Sequence, residues 1–204
     1  IWTNNNLMTK SIPVIFLVFA AFASSYAYSQ IFRSRSISNQ PEPPHTEFIA
    51  ARWHFGTNGD IGHMGWSHNY PQSDLHLNDF LERTTRIDLE DSSFKIVELG
   101  SDEVFDYPFA YVSEPGEMEL TDREVINLRE FILKGGFVLM DDFDGPWQWA
   151  QMASQVQRAI PESSFISLSI EDPVFQILNP MDDFQDMANY VPGGAISYYG
   201  LFRP

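Results

Sequence analysis

The chain has 204 residues, of which 44% are hydrophobic and 15% aromatic, so it can form one domain with a sizeable core and is neither disordered nor fibrous. Its formal charge of −16 at pH 7 argues against nucleic acids and anionic membrane surfaces as partners, because both attract lysine and arginine. The sequence contains no cysteine, which excludes disulfides, thiolate metal sites and a cysteine nucleophile.

Residues 1–29 predict an export signal together with a few upstream residues. A short positive start at residues 8–10 precedes an apolar run at residues 12–23, and small residues at 27–29 fit a cleavage site. The run is short for a membrane span, so contact with a membrane is expected only through a signal that stays uncleaved. We therefore predict a secreted or periplasmic protein.

Beyond the signal, residues 30–46 carry serines and three prolines, which predict an extended linker. Strands then alternate with helices, which predicts a single α/β domain at residues 47–204 with a three-layer parallel sheet. The predicted strands are at residues 47–55, 94–99, 109–112, 137–140 and 165–168, and the predicted helices at 74–85, 121–134 and about 145–160. Leu77, Phe80, Leu81 and Thr84 share one face of the first helix, which predicts that this face is buried. Thr121 and Glu124 predict a capping box at the start of the second.

The apolar run at residues 137–140 predicts a central strand that is buried on both faces. Asp141, Asp142 and Asp144 crowd its carboxyl end, where ligands bind in parallel sheets. Asp144 is suited to capping the next helix. For Asp141 and Asp142 two interpretations stay open: hydrogen bonds to loop amides, or a role as Mg²⁺ or Ca²⁺ ligands or as a general base.

Three histidines lie at the end of the first predicted strand and in the glycine-rich loop after it: His54, His63 and His68. Imidazoles could join Asp141 or Asp142 to hold Zn²⁺ or another divalent metal, although the spacing is not that of a helical metal site. The alternative is that these histidines are polar loop residues that bond to the backbone. A divalent metal is the cofactor that this pattern suggests.

Four further residues are ligand-binding candidates at the same edge. Arg52 is the positive charge nearest to the glycine-rich loop, which lacks both nucleotide-binding glycine motifs. Trp66 and Tyr70 could stack on a sugar or anchor a partner, and core packing is the alternative. Ser113 ends the third predicted strand, where a nucleophile could sit, but no Gly-x-Ser-x-Gly motif surrounds it.

A series of short motifs also follows in order along residues 47–202. They are Ala51-Arg52, Phe55-Gly56, Gly65-Trp66 with Tyr70-Pro71, Tyr107-Pro108-Phe109, Leu128-Arg129-Glu130-Phe131, Gly135-Gly136-Phe137, Asp141-Asp142-Phe143, Ile160-Pro161-Glu162 and Asp172-Pro173-Val174-Phe175. With this series the chain resembles a bacterial domain-of-unknown-function family, number 4159. The resemblance implies a flavodoxin-like or Rossmann-like sheet similar to the class I glutamine amidotransferase-like group, without an established activity.

This chain departs from the family pattern at two places. Where many relatives have histidines, it has Ser113 or Glu114 and, later, Asp172. The cysteine–histidine pair of true amidotransferases is absent, because the chain has no cysteine. Relatives also continue past residue 204, so we expect this sequence to be a fragment.

Two functional hypotheses follow. The first is a non-catalytic binding or assembly module of the cell envelope, with a protein or small-molecule ligand that the sequence does not identify. The second is a metal-assisted hydrolase that uses His54, His63 or His68 with Asp141 or Asp142. Both hypotheses place the site between the loop after the first strand and residues 141–144. The sequence leaves open whether the protein is an enzyme.

Overall fold

The computed structural model describes residues 40–57, 65–142, 145–177, 180–182, 184 and 196–202. The chain divides after His45, and all described strands and helices belong to the unit Thr46–Pro204. The predicted export signal lies outside the described residues. Within them, no helix has both the length and the apolar character that a membrane crossing requires.

A four-stranded parallel sheet forms the centre of the fold, in the order β2-β1-β3-β4. This α/β architecture confirms the predicted fold class, and the order is that of the first four strands of a flavodoxin-like sheet. Because β2 and β3 flank β1, the strand order reverses there, and ligands of such sheets usually bind at the carboxyl ends of the strands at the reversal, here β1 and β3. The strands are β1 (Ala50–His54), β2 (Phe94–Glu98), β3 (Phe109–Ser113) and β4 (Phe137–Asp141).

Helices cover both faces of the sheet. Adjacent residues of a strand point to opposite faces, and in β1 Arg52 bonds to Asp74 whereas Trp53 packs edge-on against Phe131, with ring centroids 4.8 Å apart. The helices that carry Asp74 and Phe131 therefore lie on opposite faces. They are α1 (Gln72–Thr84) and α2 (Asp122–Leu133), and α2 is joined to α3 (Gly145–Ala159) by a hydrogen bond from Arg129 Nη1 to the Ala159 carbonyl at 2.9 Å.

The core lies between the sheet and the pair α2 and α3. Each large side chain that it takes out of water contributes about 1.5–3 kcal/mol. Small residues in β1 and β3 let the helices approach the sheet closely. The buried apolar residues include Ala51, Trp53, Val97, Ala110, Val112, Leu128, Phe131, Met152, Val156 and Ile160.

The prediction that residues 137–140 form a central strand buried on both faces is wrong. β4 lies at the edge of the sheet, and no described strand pairs with its outer side. Phe137 is 54% exposed and Leu139 39% exposed, while Val138 and Met140 are half-buried. A continuous apolar run indicates a strand, but its place in the sheet depends on pairing with distant segments.

The predicted strand at residues 165–168 also has a different partner. β5 (Phe165–Ser167) pairs antiparallel with β6 (Tyr199–Leu201) in a separate two-stranded sheet. It therefore does not extend the parallel sheet. The side chain of Trp149 in α3 packs against Phe165 and Tyr199, so this small sheet lies beside the first half of α3.

In α1 the sequence predicted an apolar buried face, and the structure differs. Phe80 is 52% exposed, whereas the buried residues of α1 are Asp74 and Asn78. Asn78 donates through Nδ2 to the carbonyls of Glu90 and Asp91, at 3.3 and 3.0 Å. The helix thus buries polar groups, and protein partners replace water at Asp74 Oδ2 and Asn78 Nδ2.

The predicted capping box at the start of α2 is confirmed. The carboxylate of Glu124 accepts hydrogen bonds from the Thr121 amide at 2.7 Å and the Thr121 hydroxyl at 2.8 Å. Its other oxygen accepts from the amide of Gly56 at 2.8 Å. Glu124 therefore caps α2 and also fixes it to the segment that leaves β1.

We expect Glu124→Ala to lower the free energy of unfolding by about 2 kcal/mol, because it removes a cap and leaves the part-buried amides of Gly56 and Thr121 without this partner. Urea denaturation measures the loss. The matched control is Glu130→Ala, an exposed glutamate of the same helix, which should cost less than about 0.5 kcal/mol. Equal losses in the two variants would contradict the role assigned to Glu124.

Candidate metal centre at the carboxyl edge of the sheet

Three side chains from three loops converge at the carboxyl edge of the sheet. His68 follows β1, Glu114 follows β3 and Asp142 follows β4. His68 Nδ1 lies 2.7 Å from Asp142 Oδ2 and 3.2 Å from Glu114 Oε1. One ligand atom from each residue lies within 4.8 Å of the other two, which makes this cluster a candidate metal centre.

The backbone at this cluster is held in an unfavourable conformation. Glu114 has φ 51°, Asp142 has φ 65° and the neighbouring Asn69 has φ 59°. These are the only positive φ values outside glycine in the described parts of the chain. Such conformations cost on the order of 1–3 kcal/mol each and are typical of functional sites.

Hydrogen bonds hold His68 and Asp142 together. The carboxylate of Asp142 accepts from Nδ1 of His68 and also from Nδ2 of Asn69, the latter at 2.9 Å. The His68 amide donates to the Gly65 carbonyl at 3.0 Å, so a 3₁₀ turn (Gly65–Ser67) leads directly into the histidine. Local turn geometry and one carboxylate therefore set the position of the imidazole.

The cluster is partly open to solvent. The side chain of Glu114 is 7% exposed, whereas those of His68 and Asp142 are 35% and 40% exposed. A buried carboxylate is stable only beside compensating positive charge or hydrogen-bond donors. A bound cation at this site would supply such a charge.

The donor set fits a divalent metal ion. Tetrahedral coordination at about 2.1 Å separates ligand atoms by roughly 3.4 Å. The separations at His68 Nδ1, 2.7 and 3.2 Å, are those of a hydrogen-bonded cluster that would open slightly to admit an ion. One nitrogen and two carboxylates form a three-ligand set, which leaves the fourth position for water or a substrate. Small side-chain movements would complete the geometry.

Arg52, predicted as a ligand-binding residue, lies inside the protein with no exposed surface. It donates through Nε to the Trp66 carbonyl at 2.8 Å, through Nη1 to Ser73 Oγ and Asp74 Oδ2, and through Nη2 to the His68 carbonyl. Burial raises the pKa of the Asp74 carboxyl above its ordinary value, and the guanidinium opposes this rise. Arg52 thus acts on the loop that carries His68 and does not face a ligand.

Two other predicted metal ligands, His54 and Asp141, are not part of the cluster. His54 Nδ1 lies 3.3 Å from Glu98, and its ring packs edge-on against Trp66. Asp141 is exposed and accepts from the Asp142 amide at 2.8 Å. The predicted ligand His63 lies outside the described residues, as does the predicted helix cap Asp144.

Of the remaining candidates, Trp66 is buried, with 4% of its surface exposed. Tyr70 is half-buried, and its ring lies beside the guanidinium of Arg52. Ser113 is fully buried, and its hydroxyl has no hydrogen-bond partner among the described residues. None of the three presents a broad exposed surface for a ligand.

The sequence prediction did not select Glu114 as a metal ligand. A usable signal existed, because Glu114 directly follows a predicted strand and the carboxyl ends of parallel strands meet at one edge. The residue was considered only as a departure from a family histidine. To predict that Glu114 lies beside His68 and Asp142, one must know the strand order, which the sequence alone does not provide.

Tyr111 of β3 lies next to the candidate metal centre. Its ring covers the guanidinium of Arg52 at 5.0 Å, and its hydroxyl lies 3.5 Å from Asp141 Oδ2. Burial, and then the negative charge of Asp141, raise the pKa of the Tyr111 phenol to about 12. The neutral phenol is therefore the form that suits the folded protein.

Comparison with known proteins identifies one family. The family described as "Domain of unknown function (DUF4159)" matches residues 56–193, a span that contains His68, Glu114 and Asp142. Among curated proteins, none matches the chain.

The raised pKa of Tyr111 predicts a loss of stability in alkali. Its contribution is present below about pH 10, the ordinary pKa, and is lost as the pH rises through about 12. We expect Tyr111→Phe to lose less stability than the wild type over this interval, as measured by urea denaturation. Tyr199→Phe, at an exposed tyrosine, is the control and should follow the wild-type curve. Identical pH profiles for Tyr111→Phe and the wild type would refute the assignment.

Proposed function

The chain belongs to the DUF4159 family, and we propose that its domain binds a divalent metal ion through His68, Glu114 and Asp142. The observation that carries this proposal is the convergence of one imidazole and two carboxylates from three separate loops. They meet where the strand order reverses, the usual place for ligands in such sheets. The half-buried Asp142 and the buried Glu114 would gain a compensating charge from the cation.

The donor set favours a transition metal over Ca²⁺ or Mg²⁺. Imidazole nitrogen suits Zn²⁺, Fe²⁺ and related ions, whereas Ca²⁺ and Mg²⁺ prefer sites made only of oxygen. A site with three protein ligands and one open position is typical of catalytic zinc and less so of structural zinc. We therefore favour Zn²⁺, with Mn²⁺ as the next ion to test.

We further propose that the site supports hydrolysis. A bound zinc ion lowers the pKa of its water ligand to about 7, which supplies a nucleophile without a cysteine or an activated serine. A likeness to the class I glutamine amidotransferase-like group is part of this proposal. The chain has no cysteine, so it could not use the cysteine–histidine pair of the true amidotransferases. Asp141, exposed at the same edge and outside the ligand set, is our candidate for the general base.

A metal titration of purified protein tests the binding step. We expect Zn²⁺ to bind one site per chain and to raise the melting temperature, because a ligand that binds only the folded state stabilises it. Glu114→Gln and Asp142→Asn should weaken binding by about 100-fold or more, since loss of groups that merely orient ligands already costs 10–100-fold. Asparagine tolerates positive φ, so Asp142→Asn should leave the stability of the metal-free protein nearly unchanged.

The matched control is His54→Ala. His54 is a second histidine beside a carboxylate, Glu98, but it lies outside the cluster. It should bind Zn²⁺ as the wild type does, whereas His68→Ala should not. Absence of Zn²⁺ and Mn²⁺ binding to the wild type, or equal effects of the two histidine variants, would refute the metal site.

A second candidate function is a binding or assembly module of the cell envelope in a secreted or periplasmic protein. The observation that favours it is the open edge of β4, where Phe137 and Leu139 are exposed and no described strand pairs. An extended segment of a partner protein could add to this edge as a further strand. Phe137→Ser would then weaken partner binding, whereas Asp142→Asn would not, and the reverse result would exclude this candidate.

A further inference from the structure

The guanidinium of Arg52 binds both ends of the segment that carries His68. On one side it donates to the carbonyls of Trp66 and His68, and on the other to Ser73 and Asp74 at the start of α1. These contacts use Nε, Nη1 and Nη2. One buried side chain of β1 thus holds residues 66–74 near both of their ends.

We infer that Arg52, held by Asp74, is a positioning residue that fixes His68 for metal binding. The inference rests on the proposed function, because it explains Arg52 by the metal ligand that Arg52 would hold in place. Arg52 binds the carbonyl of His68 itself, so the backbone of the ligand residue is held directly. Only the rotation of the imidazole about its side-chain bonds then remains to be fixed. In the metal-free protein the carboxylate of Asp142 fixes it through the hydrogen bond with Nδ1.

Only arginine has the shape that this role requires. A planar guanidinium presents five donors in a fixed fork, whereas the lysine ammonium is a compact charge on a flexible stem. Two aromatic rings enclose the guanidinium, with its central carbon 5.6 Å from the centroid of Tyr70 and 5.0 Å from that of Tyr111. Lysine could retain the contact with Asp74 but could not bind both loop carbonyls at the same time.

A purely structural role for Arg52 makes a different prediction. In that case Arg52→Lys would lower the stability of the domain and leave the metal affinity of the folded protein unchanged. Asn127 provides the matched control, because it is also buried and also fixes a loop, through hydrogen bonds to the carbonyls of Leu99 and Ser101 at 2.7 and 2.8 Å. That loop lies outside the ligand set.

The experiment measures Zn²⁺ affinity on folded protein, together with the stability of the metal-free protein, for Arg52→Lys, Asp74→Asn, Ser73→Ala and Asn127→Ala. We expect the first two to weaken Zn²⁺ binding by about 10–100-fold, as loss of ligand-orienting groups does. Ser73→Ala removes one contact, is the variant most certain to fold, and should weaken binding by a smaller factor. Asn127→Ala should lower stability without changing affinity.

Amide hydrogen exchange in the metal-free protein supplies the second readout. The amides of His68 and Tyr70 are bonded to the carbonyls of Gly65 and Ser67, at 3.0 and 3.1 Å. In Arg52→Lys and Ser73→Ala these amides should exchange faster than global unfolding explains, and in Asn127→Ala they should not.

The outcomes separate the two proposals. If the wild type binds no Zn²⁺, the proposed function fails, and faster exchange at His68 and Tyr70 still decides whether Arg52 positions this segment. If the wild type binds Zn²⁺ and Arg52→Lys binds it equally well, the positioning role is overturned while the metal site stands. Unchanged exchange in both Arg52→Lys and Ser73→Ala would overturn it as well.

Discussion

The buried ion pair between Arg52 and Asp74 is the interaction on which the rest of this structure depends. Both side chains are fully buried, and their atoms approach to 2.7 Å. The desolvation of two such charges offsets much of their attraction, so the pair adds little net stability, although removal of one partner costs about 3–5 kcal/mol. Its effect is geometric: it fixes α1 on the sheet and, with the hydrogen bonds of Arg52 to Trp66 and His68, it holds residues 66–74 at the carboxyl edge.

The strand order determines which side chains meet at the carboxyl edge of the sheet. Because β1 lies between β2 and β3, the segment around His68 and the turn after β3 meet at the carboxyl edge, and the end of β4 comes next to them. His68, Glu114 and Asp142 are far apart in sequence and come from these three places. Glu124 strengthens the same region by joining the first turn of α2 to Gly56. The cluster is therefore a product of the topology and not of a local motif.

Features that depend on near neighbours could be predicted from the sequence, and features that depend on distant ones could not. The capping box of α2 was predictable because Thr121 and Glu124 are three residues apart. The α/β class followed from the alternation of strands and helices. The edge position of β4 was not predictable, because hydrophobicity marks a strand without giving its neighbours.

The same limit explains the errors on α1 and the candidate site. The sequence pattern favoured an apolar face, but Asp74 and Asn78 are buried because Arg52 and the carbonyls of two distant residues are their partners. Arg52 was predicted to bind a ligand because it is the positive charge nearest to the glycine-rich loop. Its actual partners lie 14 to 22 residues away along the chain.

The left-handed backbone at Glu114 and Asp142 has a consequence for the evolution of this domain. Glycine avoids the steric cost of such a conformation, about 1–3 kcal/mol, and pays roughly 0.5–1 kcal/mol in chain entropy. On backbone terms alone, glycine at both positions would therefore stabilise the protein, although at Asp142 it would also remove the hydrogen bonds from His68 and Asn69. A lineage that keeps both acids does so against the preference of its own backbone, and the proposed metal site would supply a reason for keeping them.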